Sequence, residues 1–181
     1  MIEIKKLTEL SGKELDSLFN RFGEDFSSVM INTVVPIIND VKENGDTAVI
    51  KYTEKFDGVK LESILATQNE IEQGHRNTPA HVLEAFMQAR DNIVEFHQHQ
   101  KKENIIYTRD DGTTLGIMYQ PIESAAMYVP GGKASYPSSV LMGVIPAQIA
   151  GAKNISVITP PDKNGKVPDV ILAICRELGV K

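Results

Sequence analysis

Cysteine is almost absent from these 181 residues, and tryptophan is absent altogether. The single thiol, Cys175, excludes an internal disulfide and any multi-cysteine metal site. Its place on an apolar helical stretch reads as a small buried hydrophobe. Positive charge is not in excess: 19 Lys and Arg stand against 24 Asp and Glu, for a net charge of −5. The basic residues are scattered rather than gathered in a stripe, so no nucleic-acid partner is expected. Long apolar runs are also lacking. No segment approaches the roughly 20 apolar residues that span a bilayer. The opening "MIEIKKLTEL" has no continuous apolar stretch of the kind found in a secretory leader, and a cytoplasmic location is expected. Internal repeats and low-complexity tracts are missing. With 41% apolar residues the chain can build one sizeable core or two small ones, and a chain of this size hides roughly 70% of its unfolded surface on folding.

What is present in the first hundred residues is helical punctuation. Phe26, Met30, Val34, Ile37, Ile38 and Val41 recur at steps of three and four. Pro36 inside that pattern predicts a kink or break, and Gly45 sits where a left-handed cap is expected, with Asp46 as cap of the next helix. A short strand is expected around 63–67, and Asn69 with Glu72 reads as a capping box. Thr78 and Pro79 read as N-cap and first residue of a long helix reaching about Lys102. Its core stripe would be Val82, Phe86, Ala89, Ile93 and Phe96.

Beyond Asn104 the periodicity changes. "IIYTRDDGTTLGIMYQPIESAAMYVP" alternates apolar and polar residues around an Asp111-Gly112 turn, which predicts a hairpin and then a third strand. From Ser124 the order is strand, glycine turn, helix, strand, helix, the signal for parallel strands joined by helical crossovers. The expected division is a helical region 1–104, a hairpin connection 105–123 and an α/β region 124–181. The last helix ends at Gly179 with two residues to follow, where another parallel strand is expected, so the fold is expected to be incomplete within this chain.

The stretch "SAAMYVPGGKASYPSSV" carries the candidate chemistry. Ala125 to Val129 reads as a strand covered on both faces. Gly131-Gly132 removes side chains where the chain turns and a ligand's backbone approach is possible, and Ser138 or Ser139 can cap the helix that follows. Helix amides pointing back at that turn, with Lys133 beside it, suit an anion. The fingerprint G-x-G-x-x-G is absent, so a purely structural turn and a phosphate or nucleotide role both stand. Open parallel sheets bind ligands beyond the carboxyl ends of their strands. Those ends carry Tyr128-Val129-Pro130 and Thr159-Pro160, and Tyr128 either lies against a base or sugar or is an interior tyrosine held by one hydrogen bond. His75, His81, His97 and His99 lack metal-ligand spacing, since His97 and His99 are two apart on a helix. No nucleophile stands with a base at motif spacing.

Taken together, "YVPGGKASYPSSVLMGVIPAQIAGAKNISVITPP", "PIINDVKENGDTAVIKYTEKFDG", "FHQHQ" and "GTTLGIMYQPIESAAMYVP" resemble the N-terminal portion of the histidinol dehydrogenases. The resemblance implies an α/β fold with a Rossmann-like parallel βαβα unit, similar to aldehyde dehydrogenases. It also implies a homodimer that oxidises L-histidinol through L-histidinal to L-histidine with NAD and zinc. By position, Tyr128 matches the family's NAD-contacting tyrosine, and Pro130, Gly131, Gly132 and Pro160 are expected to border the same cofactor. The family's zinc ligands and proton-handling Glu-His pair have no counterpart motif here, so the chain alone is expected to be inactive and to hold neither metal ligands nor catalytic residues. The competing expectation is a stand-alone nucleotide-binding or regulatory domain without catalysis.

Overall fold

The computed structural model describes residues 6–19, 25–131 and 135–180. Gly132 and Lys133, two candidates for the glycine turn, lie outside the described residues, as does the side chain of Phe26. The chain divides into two compact units, Met1–Val49 and Ile50–Lys181.

The first unit is helical. A 3-10 turn at Leu7–Glu9 precedes α1 (Gly12–Phe19), α2 (Asp25–Val29), a π-helical turn at Met30–Val34 and α3 (Val35–Asn44). The expected break at Pro36 takes the form of this change from π to α winding, with Pro36 the second residue of α3. Gly45 ends α3 at φ 53°, and its N–H donates to the Val41 carbonyl at 2.9 Å. Asp46 is the first residue of α4 (Asp46–Asp57), which runs into the second unit.

In the second unit the segment at 63–67 forms no strand. Instead Ser63 Oγ accepts from Leu65 N–H at 3.0 Å. The capping box of α5 (Gln68–Asn77) falls two residues earlier than Asn69 and Glu72. Thr67 Oγ1 accepts from Glu70 N–H, and Glu70 Oε2 accepts from Thr67 N–H at 2.7 Å. Thr67 is extended and can turn its hydroxyl onto the helix end, whereas Glu72 is drawn away to Arg176. Thr78 closes α5 rather than opening α6 (Ala80–Gln98), because its hydroxyl donates back to the Gly74 carbonyl at 2.8 Å. Pro79 takes the N-cap place. Along α6, Phe86, Ala89, Ile93 and Val94 pack on the core, while Phe96, the last of the expected stripe, is exposed.

The hairpin forms as expected. Strand β1 (Ile105–Thr108) pairs antiparallel with β2 (Thr114–Ile117), and the Arg109 N–H donates to the Thr113 carbonyl across the turn. Gly112 has φ 84°, the left-handed value that the turn demands. Strand β3 (Ser124–Tyr128) pairs in parallel with β4 (Asn154–Ile158) across the crossover helix α7 (Pro137–Ala150), and α8 (Asp169–Glu177) follows. The helices share one side of this two-stranded sheet. Ala125, Met127, Ile155 and Val157 face them, whereas Ser124, Ala126, Tyr128, Asn154, Ser156 and Ile158 are exposed. The strand is therefore covered on one face, not both. The core gathers Val129, Val140, Leu141, Val144, Ile145, Ile171 and Ile174. Among the described residues, no helix is long and apolar enough to cross a membrane.

Candidate functional site

The register of the parallel pair fixes where the sheet ends. Tyr128 stands opposite Ile158, and the next amide, Val129 N–H, still donates to the Ile158 carbonyl at 2.8 Å. Val129 is fully buried and anchors this end. The chain then leaves both strands side by side, as Pro130-Gly131 and as Thr159-Pro160-Pro161. Tyr128 keeps its ring on the open face, 68% exposed, beside Ile158 at 54%. It is not an interior tyrosine.

Gly131 and Pro160 meet. A Cβ placed on Gly131 would lie 2.8 Å from Pro160 Cγ and 3.2 Å from the Pro160 carbonyl oxygen. Only a residue without a side chain lets the two loops approach this closely. Pro130, Gly131, Tyr128 and Pro160 are thus brought to one strand end, as their spacing predicts. Helix α7 begins at Pro137, with Tyr136 at the N-cap place and no side-chain cap. Ser138 and Ser139 therefore lie inside the first turn rather than capping it, since the proline at the first helical position already fixes the entry.

On the helix side of the same strand end lies a groove of about 200 Å³. Its walls come from the segment after α4, from α5 and from the connection between β4 and α8, with Leu61, Ile64 and Leu172 supplying apolar surface. Thr159 lines it, with its Oγ1 buried and, among the described residues, without a hydrogen-bond partner. Glu70 and Asp169 contribute two carboxylates and Lys166 one amine. Bonds from the Thr67 backbone and hydroxyl hold the Glu70 carboxyl below its ordinary range, which keeps it ionised. The floor of the connection is a tight turn in which the Lys166 and Asn164 amides donate to Asp162 Oδ1, lowering that carboxyl as well. The pattern of the sequence did not single out Leu61 or Lys166 as site residues, and Thr159 stood in it only as part of the second strand end. The signal available was Thr159's place directly after a parallel strand.

Other candidates stay apart from this end. His75 Nε2 pairs with Glu177 Oε1 at 2.7 Å between α5 and α8. His97 Nδ1 bonds Gln100 Oε1 at the end of α6. Burial pushes the Cys175 thiol up to about 11, which keeps it protonated and inert at neutral pH. Among the described residues, no three His, Cys, Asp or Glu side chains come together where a metal could sit.

A family model described as histidinol dehydrogenase matches residues 20–181. The chain belongs to the histidinol dehydrogenase family. It is 48% identical over 147 residues to the histidinol dehydrogenase of Geobacillus kaustophilus strain HTA426, covering 81% of this chain and 35% of that relative. It is 43% identical over 176 residues to that of Bacillus subtilis strain 168, covering 97% of this chain and 41% of the relative. The crystal structure of histidinol dehydrogenase from Elizabethkingia anophelis superposes with a TM-score of 0.79 at 37% identity, over 84% of this chain and 35% of that one. The chain is thus a mixed α/β protein that spans 35% to 41% of the length of these relatives.

Proposed function

We propose that the chain supplies part of the NAD cleft of a histidinol dehydrogenase, an NAD- and zinc-dependent oxidation of L-histidinol through L-histidinal to L-histidine. The observation that carries this reading is the parallel strand end, where the exposed Tyr128 ring, Pro130 and the Gly131–Pro160 approach stand together. In this reading the β3–α7–β4–α8 unit opens a Rossmann-like, aldehyde-dehydrogenase-like lobe. NAD supplies the hydride acceptor when bound. Tyr128 offers it a flat apolar face, and Gly131, by letting Pro160 approach, sets the two strand ends side by side. Gly132 is assigned to the same turn by its place in the motif.

The described residues do not form a zinc site, so no step here passes through the metal. The chain's part in the reaction is positioning: it holds one side of the cofactor, and the 181 residues alone do not turn over. The enzyme works as a homodimer in the cytoplasm. NAD titrated into the purified chain tests the assignment, followed through the Tyr128 ring signals. Tyr128→Ala weakens binding without lowering the melting temperature. A variant that binds NAD as tightly as the parent removes Tyr128 from the cleft. Adding the remainder of a family chain, with zinc and L-histidinol, produces NADH. Binding of NAD with no turnover under those conditions favours a stand-alone binding domain.

A further inference from the structure

We propose that Asn164, in the turn between β4 and α8, is a self-modification site, losing its side-chain amide through a cyclic imide formed with the backbone nitrogen of Gly165. This inference stands apart from the cofactor reading. Ring closure needs an Asn or Asp followed by a residue with no side chain to crowd it, and the sequence offers four such pairs: Asn44-Gly45, Asp57-Gly58, Asp111-Gly112 and Asn164-Gly165. Folding separates them.

The two aspartates are the poorer electrophiles, because an ionised carboxylate repels the attacking nitrogen and has no neutral group to expel. Asp111 is held in that form: its Oδ1 accepts from the Thr113 N–H at 2.9 Å, which keeps the carboxyl below its ordinary range. Asn44 is locked by helix. It is the last residue of α3, and its Nδ2 donates to Asp40 Oδ1 at 2.7 Å. Gly45 is tied on both sides: its N–H donates to the Val41 carbonyl at 2.9 Å, and its own carbonyl accepts from Ala48 at 3.1 Å and Val49 at 3.3 Å. Swinging the Gly45 nitrogen onto the Asn44 side chain therefore breaks the junction of two helices.

Asn164 is exposed and lies outside helix and strand. The bonds that shape its turn run to one residue, Asp162. The Asp162 Oδ1 accepts from the Asn164 and Lys166 N–H groups at 2.8 and 2.9 Å, and the Asp162 carbonyl accepts from the Gly165 N–H at 3.0 Å. The Asn164 amide reaches Asp162 Oδ2 only at 3.4 Å, a long contact for a hydrogen bond. Opening this one turn frees both reacting groups, and exposed turns open at far lower cost than packed elements.

The steps balance without an oxidant or a cofactor. Solvent base takes the Gly165 N–H proton, the nitrogen bonds to Asn164 Cγ, and the Cγ–Nδ2 bond breaks with release of ammonia. Water then opens the imide at either carbonyl, leaving aspartate or isoaspartate. Either product sets a new carboxylate against that of Asp162, which the Lys166 and Asn164 amides keep ionised. The isoaspartyl form also brings a methylene into the backbone, so the amide spacing that fits Asp162 is lost and the lead into α8 loosens.

The test incubates the purified 181-residue chain at mildly alkaline pH. Fragment masses locate each amide-to-acid exchange, and methyl transfer by an isoaspartyl methyltransferase locates isoaspartate. Asn164 should react first, roughly 10-fold or more ahead of Asn44, since Gly45 has two further backbone bonds to break. The rate should climb with pH, because the attacking nitrogen must lose its proton. Asn164→Gln, whose longer side chain disfavours the ring, should remove the signal at this position. Asp162→Ala should speed the reaction by about 3- to 10-fold through loss of the bonds that hold the turn. In urea, Asn44 and Asn164 should react at comparable rates, which shows that folding makes the difference. Reaction at Asn44 level with or ahead of Asn164 in the folded chain overturns the proposal, as does isoaspartate arising first at Asp57 or Asp111. An Asn164 that stays intact while the urea sample is modified overturns it too, and an unchanged rate in Asp162→Ala removes the restraint assigned to that residue.

Discussion

Two glycines show how differently one added methyl group can act. At Gly74, in the buried turn of α5, a Cβ would lie 2.9 Å from Leu172 Cβ and 3.1 Å from the Asp169 carbonyl oxygen, neither of which is the loose end of a side chain. At Gly143 the nearest atoms belong to Met127, whose Sδ at 2.9 Å lies well along a flexible, unbranched side chain. Overpacking costs about 1–3 kcal/mol where the surroundings cannot give. Gly74→Ala is therefore expected to lose stability in that range and Gly143→Ala distinctly less, read from urea midpoints at constant slope. Equal losses would show that α5 and α8 slide apart as readily as Met127 rotates. Glu70 gives a second residue-scale expectation. Its folded pKa is lowered, first by the Thr67 backbone amide and then by the Thr67 hydroxyl. The stabilisation is thus present above the unfolded value, about 4.3, and is lost as pH falls through the lower folded value. Glu70→Gln should destabilise at pH 7, and its deficit against the parent should shrink as the solution is acidified past about pH 4. A deficit independent of pH would mean that the capping geometry matters and the charge does not.

At the scale of elements, α5 and α8 are joined in two ways that can be separated. Close approach at Gly74 is one. The other is a polar set: Arg176 Nε to Glu72 Oε1 at 3.0 Å, His75 to Glu177 at 2.7 Å, and Asn77 Nδ2 to Asp169 Oδ2 at 3.2 Å. Exposed ion pairs contribute little and are screened by salt, with a Debye length of about 3 Å at 1 M. Arg176→Ala should therefore cost less than Gly74→Ala, and its effect should vanish in about 1 M salt, where the Gly74→Ala loss persists. These pairings also mark the limit of what the sequence discloses. Periodicity and turn chemistry suffice for α6, the Asp111-Gly112 hairpin and the βαβα order, because each is a local pattern. The helix starts slipped because Thr67, not Asn69, turns its side chain onto α5 and Thr78 turns back to the Gly74 carbonyl, choices that only the folded contacts make. Tyr128, Pro130, Gly131 and Pro160 were legible because a parallel pair puts its strand ends side by side. The groove was not, since Leu61, Thr159, Lys166 and Leu172 come from separate segments that meet only when α5 packs on α8.

For the whole molecule, the feature that calls for a partner is the hairpin. Directly opposed residues share a face, so Ile105, Tyr107, Leu115 and Ile117 form one apolar surface, while Thr108 and Thr114 lie with Ile106 and Gly116 on the other. All eight are exposed. An isolated two-stranded hairpin is marginal in water, and a contiguous apolar patch of this kind marks an interaction surface. The expected occupant is a second copy of the chain, consistent with the homodimer proposed above. Sedimentation at rising concentration should show association. Ile117→Lys, which puts a charge on the apolar face, should shift the chain towards monomer, whereas Ile106→Lys on the opposite face should not. Both positions are exposed, so neither change disturbs the core, and the hairpin register can be checked by amide exchange in each variant. If both lysines act alike, or the parent stays monomeric at the highest concentration reached, the hairpin face does not join copies of this chain.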